Sequence, residues 1–393
     1  MAPGSFCTAG IHLVDSALNL PLVGALLAEN TTALQDAQAR GRQFRRFILI
    51  ALALHLPLFV YPVLRLGDWL AWPIWLTVII LIPVAGSQII SRYLLRQHGS
   101  RVATLLRQIA DMILGVSPVL LISLLVFEVL VLAFGMPVDS AARGVVLVTF
   151  LAGVIGSIVA MTPTVVKFRL TSPRLKAPIR FMQITDVHIG SRNKGFLDRV
   201  IYRINREKPD FLCITGDFID ATGVPESDLV ALKSVVGPIY YCIGNHEKYE
   251  DFSDIMQRLN NLGVNVLRDE AMMHREDIQV IGIDDMEDPL QVEKQLKHIP
   301  LDSDAFKILL YHRPRGLEAA CDHQIELTLS GHTHNGQIFP FNLMVGRVFN
   351  RIKGMYQLGE ARQYVSQGTG TWGPVMRLGT FSEITLFEYE PQE

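Results

Sequence analysis

Four long apolar runs follow one another at residues 47–64, 69–90, 112–134 and 144–166. Three of them contain no charged residue, and the third holds only Glu128. A helix needs about 20 apolar residues to cross the hydrocarbon core of a bilayer. The first run has 18 residues and contains Pro57 and Pro62, so it is short for a span; the other three are long enough. Buried helices of a soluble core are the competing explanation, but four such runs in succession would be unusual. The expectation is a four-span α-helical transmembrane domain over 47–166, preceded by a segment 1–46 and followed by a linker 167–178.

No basic region precedes an apolar core near Met1, so a cleaved leader is not expected. The stretch 11–27 contains Asp15 and Asn19 and reads as an amphipathic or packing segment. Arg40, Arg42, Arg45 and Arg46 precede the first run. Arg92, Arg96, Arg101 and Arg107 lie around the connection between the second and third, and Lys167, Arg169, Arg174, Lys176 and Arg180 follow the fourth. The two opposite connections hold only Arg65 and Arg143. Basic residues are retained on the cytoplasmic side. Both termini and everything after the fourth run are therefore expected in the cytoplasm, in an inner or plasma membrane. The bilayer itself is the first expected partner, its anionic headgroups attracted by the basic clusters. Glu128 is costly within a span and reads either as functional or as paired with a polar neighbour.

The excess apolar content ends near residue 170, and beyond it the sequence reads as a soluble domain. Formal net charge is −2, so no nucleic-acid partner is expected. Cys7, Cys213, Cys242 and Cys321 show neither metal-binding spacing nor a disulfide framework and read as reduced, mostly buried thiols. From 179 onward, strand-like runs at 179–185, 211–215, 239–243, 278–283, 307–311, 325–329, 363–366 and 383–389 alternate with helical stretches at 196–206, 227–235, 252–262 and 290–298. This alternation predicts an α/β domain over 179–393.

A polar cluster follows each of five predicted strands: Asp186-Val187-His188, Gly216-Asp217, Gly244-Asn245-His246-Glu247, His312 and Gly331-His332-Thr333-His334. Ligands gather at the carboxyl ends of strands in open α/β sheets, so the five segments can share one rim. The donors are carboxylates and imidazoles without thiolate, a set suited to Mn, Fe or Zn rather than to a structural zinc knot. Strand alternation would turn Asp186 and His188 to one side, and likewise His332 and His334. Glycines 216, 244 and 331 permit close backbone approach. Singly, each cluster is unremarkable: a capping aspartate or a satisfied histidine would explain it. Five in this order are harder to dismiss.

These clusters resemble the signature of calcineurin-like metallophosphoesterases, over about residues 179–389. The extension His334-Asn335-Gly336-Gln337 and the tail Gly368-Thr369-Gly370…Arg377-Leu378-Gly379 resemble the subgroup that is often membrane-tethered, in which a second glycine is common where Asn335 stands here. The resemblance implies a four-layer αββα sandwich holding two divalent metals, Mn first, with Fe or Zn as alternatives. It places Asp186, His188, Asp217 and His334 on the first metal and Asp217, Asn245, His312 and His332 on the second. Two metals about 3.5–4 Å apart can clamp a phosphate and lower the pKa of a bridging water, and the resulting hydroxide attacks phosphorus. His246 is placed to stabilise developing charge or protonate the leaving oxygen, unless it only packs beside Asn245. Arg377 is a candidate substrate-phosphate contact, because guanidinium forks match phosphate oxygens; a surface salt bridge is the alternative.

The expected function is hydrolysis of a phosphodiester or pyrophosphate bond. The anchor suggests a phosphate-containing, lipid-linked substrate; some membrane-associated relatives hydrolyse UDP-2,3-diacylglucosamine. The alternative is a transmembrane sensor or transporter regulated by a phosphoesterase-like domain. Few intramembrane charges and no broken-helix pair weaken the transporter reading. A catalytically dead binding module is a third option, against which stands the full set of expected ligands.

Overall fold

Pro73 opens the first long helix of the computed structural model, which describes residues 52–94 and 101–392. Helix α1 (Tyr61–Trp69) is short and carries Pro62 in its first turn. Helix α2 (Ile74–Ile89) continues in wider turns through Ile90–Leu94. Helices α3 (Arg101–Phe134) and α4 (Val138–Met161) form a hairpin. Three helices among the described residues, Ile74–Tyr93, Val102–Phe134 and Val138–Met161, are long and apolar enough to cross a membrane. Four were expected. The run 47–64 begins outside the described residues, as do 1–46, Cys7 and the segment 11–27. Glu128 is paired: Tyr61 and Arg65 donate to its carboxylate at 2.7 and 2.6 Å. Cys213 and Cys242 are free and buried, and Cys321 is free and partly buried.

The fourth apolar run ends sooner than its hydropathy suggests. Pro163 cannot continue a helix, and a nine-residue strand β1 (Thr164–Ser172) begins one residue later. The expected linker at 167–178 is thus half strand. Apolar and charged residues alternate over Val166-Lys167-Phe168-Arg169-Leu170, and β1 pairs in parallel with the last strand along its whole length. Only two residues separate α4 from β1, and the chain from Leu58 to Glu393 forms one compact unit.

The remaining elements are β2 (Ile179–Ile184), α5 (Lys194–Glu207), β3 (Phe211–Thr215), β4 (Ile239–Cys242), α6 (Phe252–Asn261), β5 (Val264–Val266), β6 (Glu270–Arg275), β7 (Ile278–Ile283), α7 (Gln291–Leu296), β8 (Phe306–Tyr311), α8 (Leu317–Asp322), β9 (Leu327–Ser330), α9 (Phe341–Val348), β10 (Gly354–Leu358), β11 (Ala361–Val365) and β12 (Glu383–Pro391). The predicted helix at 227–235 is a short turn, Glu226–Leu229, followed by a 3-10 segment, Val230–Ser234.

Two six-stranded sheets result, ordered β1-β12-β2-β3-β4-β5 and β10-β11-β9-β8-β7-β6. Both are mixed: β2, β3, β4 and β5 run parallel, as do β7, β8, β9 and β11, while β12, β6 and β10 pair antiparallel with a neighbour. Phe181, Phe211 and Tyr240 of the first sheet share one buried cluster with Val280, Ile308 and Leu329 of the second. Alternate residues face the other way. Met182, Leu212 and Tyr241 pack on Leu197 and Val200 of α5 and Leu259 of α6. Ile281 and Leu309 pack on α7 and α8. Apolar contact on both faces is why strands such as Phe211–Thr215 read as continuous apolar runs rather than alternating ones.

Candidate metal centre

Five parallel strands, β2, β3, β4, β8 and β9, deliver the polar clusters at their carboxyl ends. Three donor groups form there among the described residues. Asp186, His188 and His334 bring one ligand atom each within 4.8 Å of one another, as do Asp217, His312 and His332, and as do His188, Asp220 and His246. His188 Nε2 lies 3.1 Å from His334 Nε2, and His332 Nδ1 lies 3.1 Å from His312 Nε2. Asp186 Oδ1 is 3.3 Å from His334 Nε2, and Asp217 Oδ2 is 3.1 Å from His312 Nε2.

The route to this convergence differs from the strand alternation expected. β2 stops at Ile184 and β9 at Ser330, so neither motif lies on a strand. Five of the seven expected ligands instead take left-handed backbone conformations: Asp186 (φ 52°), His188 (57°), Asp217 (49°), His332 (72°) and His334 (48°). Such conformations cost of order 1–3 kcal/mol each and persist where surrounding structure over-determines them. The over-determination is visible. The Asp186 carboxylate accepts the His332 N–H at 3.0 Å, and Glu247 accepts four backbone N–H groups around Asp217. A Cβ on Gly244 would sit 2.2 Å from Asp217 Oδ1, which explains the glycine there.

Acceptors behind the rings fix which nitrogens face inward. The Thr215 carbonyl lies 2.8 Å from His312 Nδ1, so this nitrogen is an N–H donor and Nε2 is the ring atom turned toward Asp217. Asp220 Oδ2 stands 3.3 Å behind His188 Nδ1 and also accepts the Ser191 hydroxyl at 2.6 Å. Burial, added to the charge of His312, pushes His332 down to about 3. Burial, against the pull of Asp186, lowers His334 to about 4. Both rings are thus neutral donors at pH 7. Burial would also lower His312, but the adjoining Asp217 carboxylate outweighs it and raises this ring to about 10.

The donor set fits divalent ions by an independent sign. Asn245 Oδ1 is buried without any hydrogen-bond partner, which is costly for an amide oxygen unless a cation takes the place of the missing donor. His246 sits beside the centre: its backbone N–H donates to Asp217 Oδ1 at 2.9 Å, and its Nε2 is 3.9 Å from Asp217 Oδ2. Its side chain is 22% exposed, whereas those of His188 and His312 are fully buried. Burial lowers its pKa, leaving a neutral ring at pH 7.

Arg377, the expected phosphate contact, does not face open space. It is buried, and its guanidinium donates to the carbonyls of Gln367, Gly368, Gly370 and His334. Sequence reasoning also missed three contributors. Asp220 follows Asp217 by three residues, and that spacing is its only mark in the sequence. Glu247 stands last in its cluster, where sequence alone assigns it no role. Trp372 lies with its ring centroid 6.2 Å from that of His246, and Gln337 holds its loop by accepting the Trp372 N–H at 3.0 Å and donating to its carbonyl at 3.1 Å.

A family model described as calcineurin-like phosphoesterase matches residues 179–336. An uncharacterized metallophosphoesterase of Aquifex aeolicus is 30% identical over 224 residues, which cover 53% of this chain and 84% of that protein. The chain belongs to the calcineurin-like phosphoesterase family. A second uncharacterized metallophosphoesterase, from Campylobacter jejuni, is 32% identical over 238 residues, covering 57% of this chain and 63% of the relative. The Bos taurus transmembrane protein with metallophosphoesterase domain is 33% identical over 277 residues, covering 61% and 60%. This calcineurin-like phosphoesterase therefore spans somewhat less than two thirds of the length of these last two relatives. The model match ends at Gly336, so the family resemblance contains all seven expected ligands and His246, while Arg377 and Trp372 lie beyond it.

Proposed function

We propose that this chain is a membrane-anchored, metal-dependent hydrolase of a phosphodiester or pyrophosphate bond, acting at the cytoplasmic face. The observation that carries the reading is the pairing of two carboxylate–imidazole groups with an unpartnered buried amide oxygen at one rim. Asp186, His188, Asp217 and His334 would hold one divalent ion. Asp217, Asn245, His312 and His332 would hold the other, Mn being the first expectation. Bound there, two such ions would supply Lewis-acid stabilisation of a phosphate and a more acidic water.

The protein's own residues supply the rest. His312 and His188 are oriented from behind by Thr215 and Asp220. Glu247 holds the Asp217 loop. His246, neutral and partly exposed, is placed to deliver a proton or hydrogen bond to a leaving oxygen. The paired sheets with helices outside them are read as the four-layer αββα sandwich of the family, with β1 extending the catalytic domain ahead of residue 179.

Orientation follows from charge. Arg92, in the basic connection between α2 and α3, lies against Trp372 of the catalytic half. Basic connections are retained in the cytoplasm, which supports a cytoplasmic centre. A lipid-linked phosphate such as UDP-2,3-diacylglucosamine suits an anchored enzyme of this kind. The deciding experiment is turnover of a generic phosphodiester by the detergent-solubilised protein with added Mn, with Asp217→Asn alongside. Turnover lost in the variant supports the reading; equal rates for the two proteins defeat it.

A further inference from the structure

One helix beside the metal centre has an apolar surface with nothing on it. None of the residues of α9 is buried, and Leu343, Met344 and Val348 are 56%, 48% and 70% exposed. Phe339, just ahead of it, is exposed as well. On a soluble surface such a patch would be a liability.

The neighbours of α9 identify what covers it. Ile338 and Phe341 share a cluster with Val116 and Val119 of α3, Ala152 of α4, and Met376. Pro374 comes so close to α3 that a Cβ on Gly115 would lie 2.8 Å from its ring. The Arg377 N–H donates to the Gly156 carbonyl of α4 at 2.9 Å. At about 1.5 Å per residue, Val116 and Val119 lie roughly 22–27 Å along α3 from Phe134. Ala152 and Gly156 lie roughly 21–27 Å along α4 from Val138. With a hydrocarbon core of about 30 Å, all four fall near the boundary opposite the α3–α4 turn. The loops that carry Ile338 and Met376 therefore touch the membrane helices at the level where hydrocarbon meets headgroups.

Polar and aromatic groups mark the same level. Arg92, at the end of α2, lies 3.7 Å from Asp111 of α3 and stacks 5.5 Å over the half-exposed Trp372 ring. Tryptophan and arginine are the residues that settle at this interface. Arg347 and Lys353, on and just after α9, are exposed cations suited to anionic headgroups. At its other end α9 reaches the centre: Phe349 meets His332 edge-on with ring centroids 5.2 Å apart.

We infer that α9 lies in the headgroup layer of the leaflet in which α3 and α4 end, so that the metal centre opens onto the lipid surface and takes an amphiphilic phosphate ester sideways from the bilayer. Arg92, carried by a membrane helix rather than by the catalytic half, meets the anionic group of that substrate over Trp372. The substrate part of this inference rests on the phosphoesterase reading; the placement of α9 does not.

Two measurements on the full chain in phosphatidylglycerol-containing vesicles test it. A nitroxide attached at Val348→Cys is expected to be relaxed by oxygen in preference to a water-soluble nickel complex. Preferential relaxation by nickel overturns the placement of α9. Hexadecyl 4-nitrophenyl phosphate in the vesicles and ethyl 4-nitrophenyl phosphate in solution present the same scissile bond. The double variant Leu343→Asp, Val348→Asp is expected to keep ethyl ester turnover within about twofold and to lose hexadecyl ester turnover by about tenfold or more. Equal loss on both esters, or none on either, overturns capture from the bilayer. Absence of turnover of both esters by the Mn-loaded native protein overturns the phosphoesterase reading, and the nitroxide still decides the placement of α9.

Discussion

The Glu247 carboxylate accepts the backbone N–H of Asp217 at 3.2 Å, at the residue whose left-handed conformation brings its own carboxylate to His312. The same carboxylate accepts from Phe218 at 2.6 Å, Ile219 at 3.1 Å and Gly244 at 3.0 Å, all in the interior. It is a backbone clamp rather than a ligand. Glu247→Ala leaves these four donors unpaired and is expected to destabilise the protein by about 4 kcal/mol or more, since each orphaned buried donor costs about 1–3 kcal/mol. Thermal unfolding in detergent checks this. A midpoint unchanged from the native protein would show that the loop holds itself.

Gly331 lets two ligand loops come close. A Cβ there would stand 2.2 Å from Thr185 Oγ1 and 2.3 Å from Asp186 Oδ2. Gly331→Ala must therefore move the Asp186 carboxylate. A displacement near 1 Å at a reacting centre costs about 10²-fold in rate. The expected outcome is that loss in kcat/KM together with reduced metal content after dialysis. Native metal content and native rate in this variant would remove Asp186 from the centre.

Which parts of this picture were legible in the sequence follows from the kind of signal each part leaves. Doubly covered strands such as Ile278–Ile283 were plain because burial on both faces makes an apolar run between polar ends. Donors after strand ends were plain because hydrophobic patterning stops where they begin. Strand β1 was hidden because Thr164-Val165-Val166 continues the apolar stretch of α4, and only Pro163 marks the change. β6 offers two methionines and charged residues instead of β-branched ones, and α9 is eight residues long with Gly346 inside it. The left-handed turns at His188 and His334 leave no trace at all, since neither position is a glycine. The setting of Arg377 was hidden because its sequence neighbours do not reveal that a ring of carbonyls encloses it.

Asp277 gives the fold a dependence on pH. It is buried, and it ties the segment before β2 to β7 by accepting the Lys176 N–H at 2.6 Å and the Arg275 guanidinium at 2.5 and 2.9 Å. Burial alone would raise its pKa, but the Arg275 and Lys176 donors outweigh this and hold it below the usual carboxylate range. A carboxylate depressed in the folded state binds fewer protons folded than unfolded. Its contribution is therefore complete above the unfolded value of about 3.9 and is lost as pH falls through the folded value. The difference in unfolding midpoint between the native protein and Asp277→Asn should be largest near neutrality and should shrink in acid. A gap that stays constant from neutrality to acid contradicts the assignment.

Arg377 is expected to behave as a brace for His334. The guanidinium fills a buried site whose acceptors are main-chain carbonyls, and burial lowers its pKa to about 10, so it stays charged at neutral pH. Its Nη2 also lies 3.4 Å from His334 Nδ1, the face of the ring turned away from Asp186. Lysine cannot reproduce this fork, because its three donors leave one point instead of a plane. Arg377→Lys is therefore expected to lower the unfolding midpoint and weaken retention of metal. With Mn restored in excess, it should leave KM for a soluble diester within about twofold, because the guanidinium is engaged by main-chain carbonyls. A KM raised tenfold or more at saturating metal, with the unfolding midpoint intact, would return Arg377 to the substrate and refute its role behind His334.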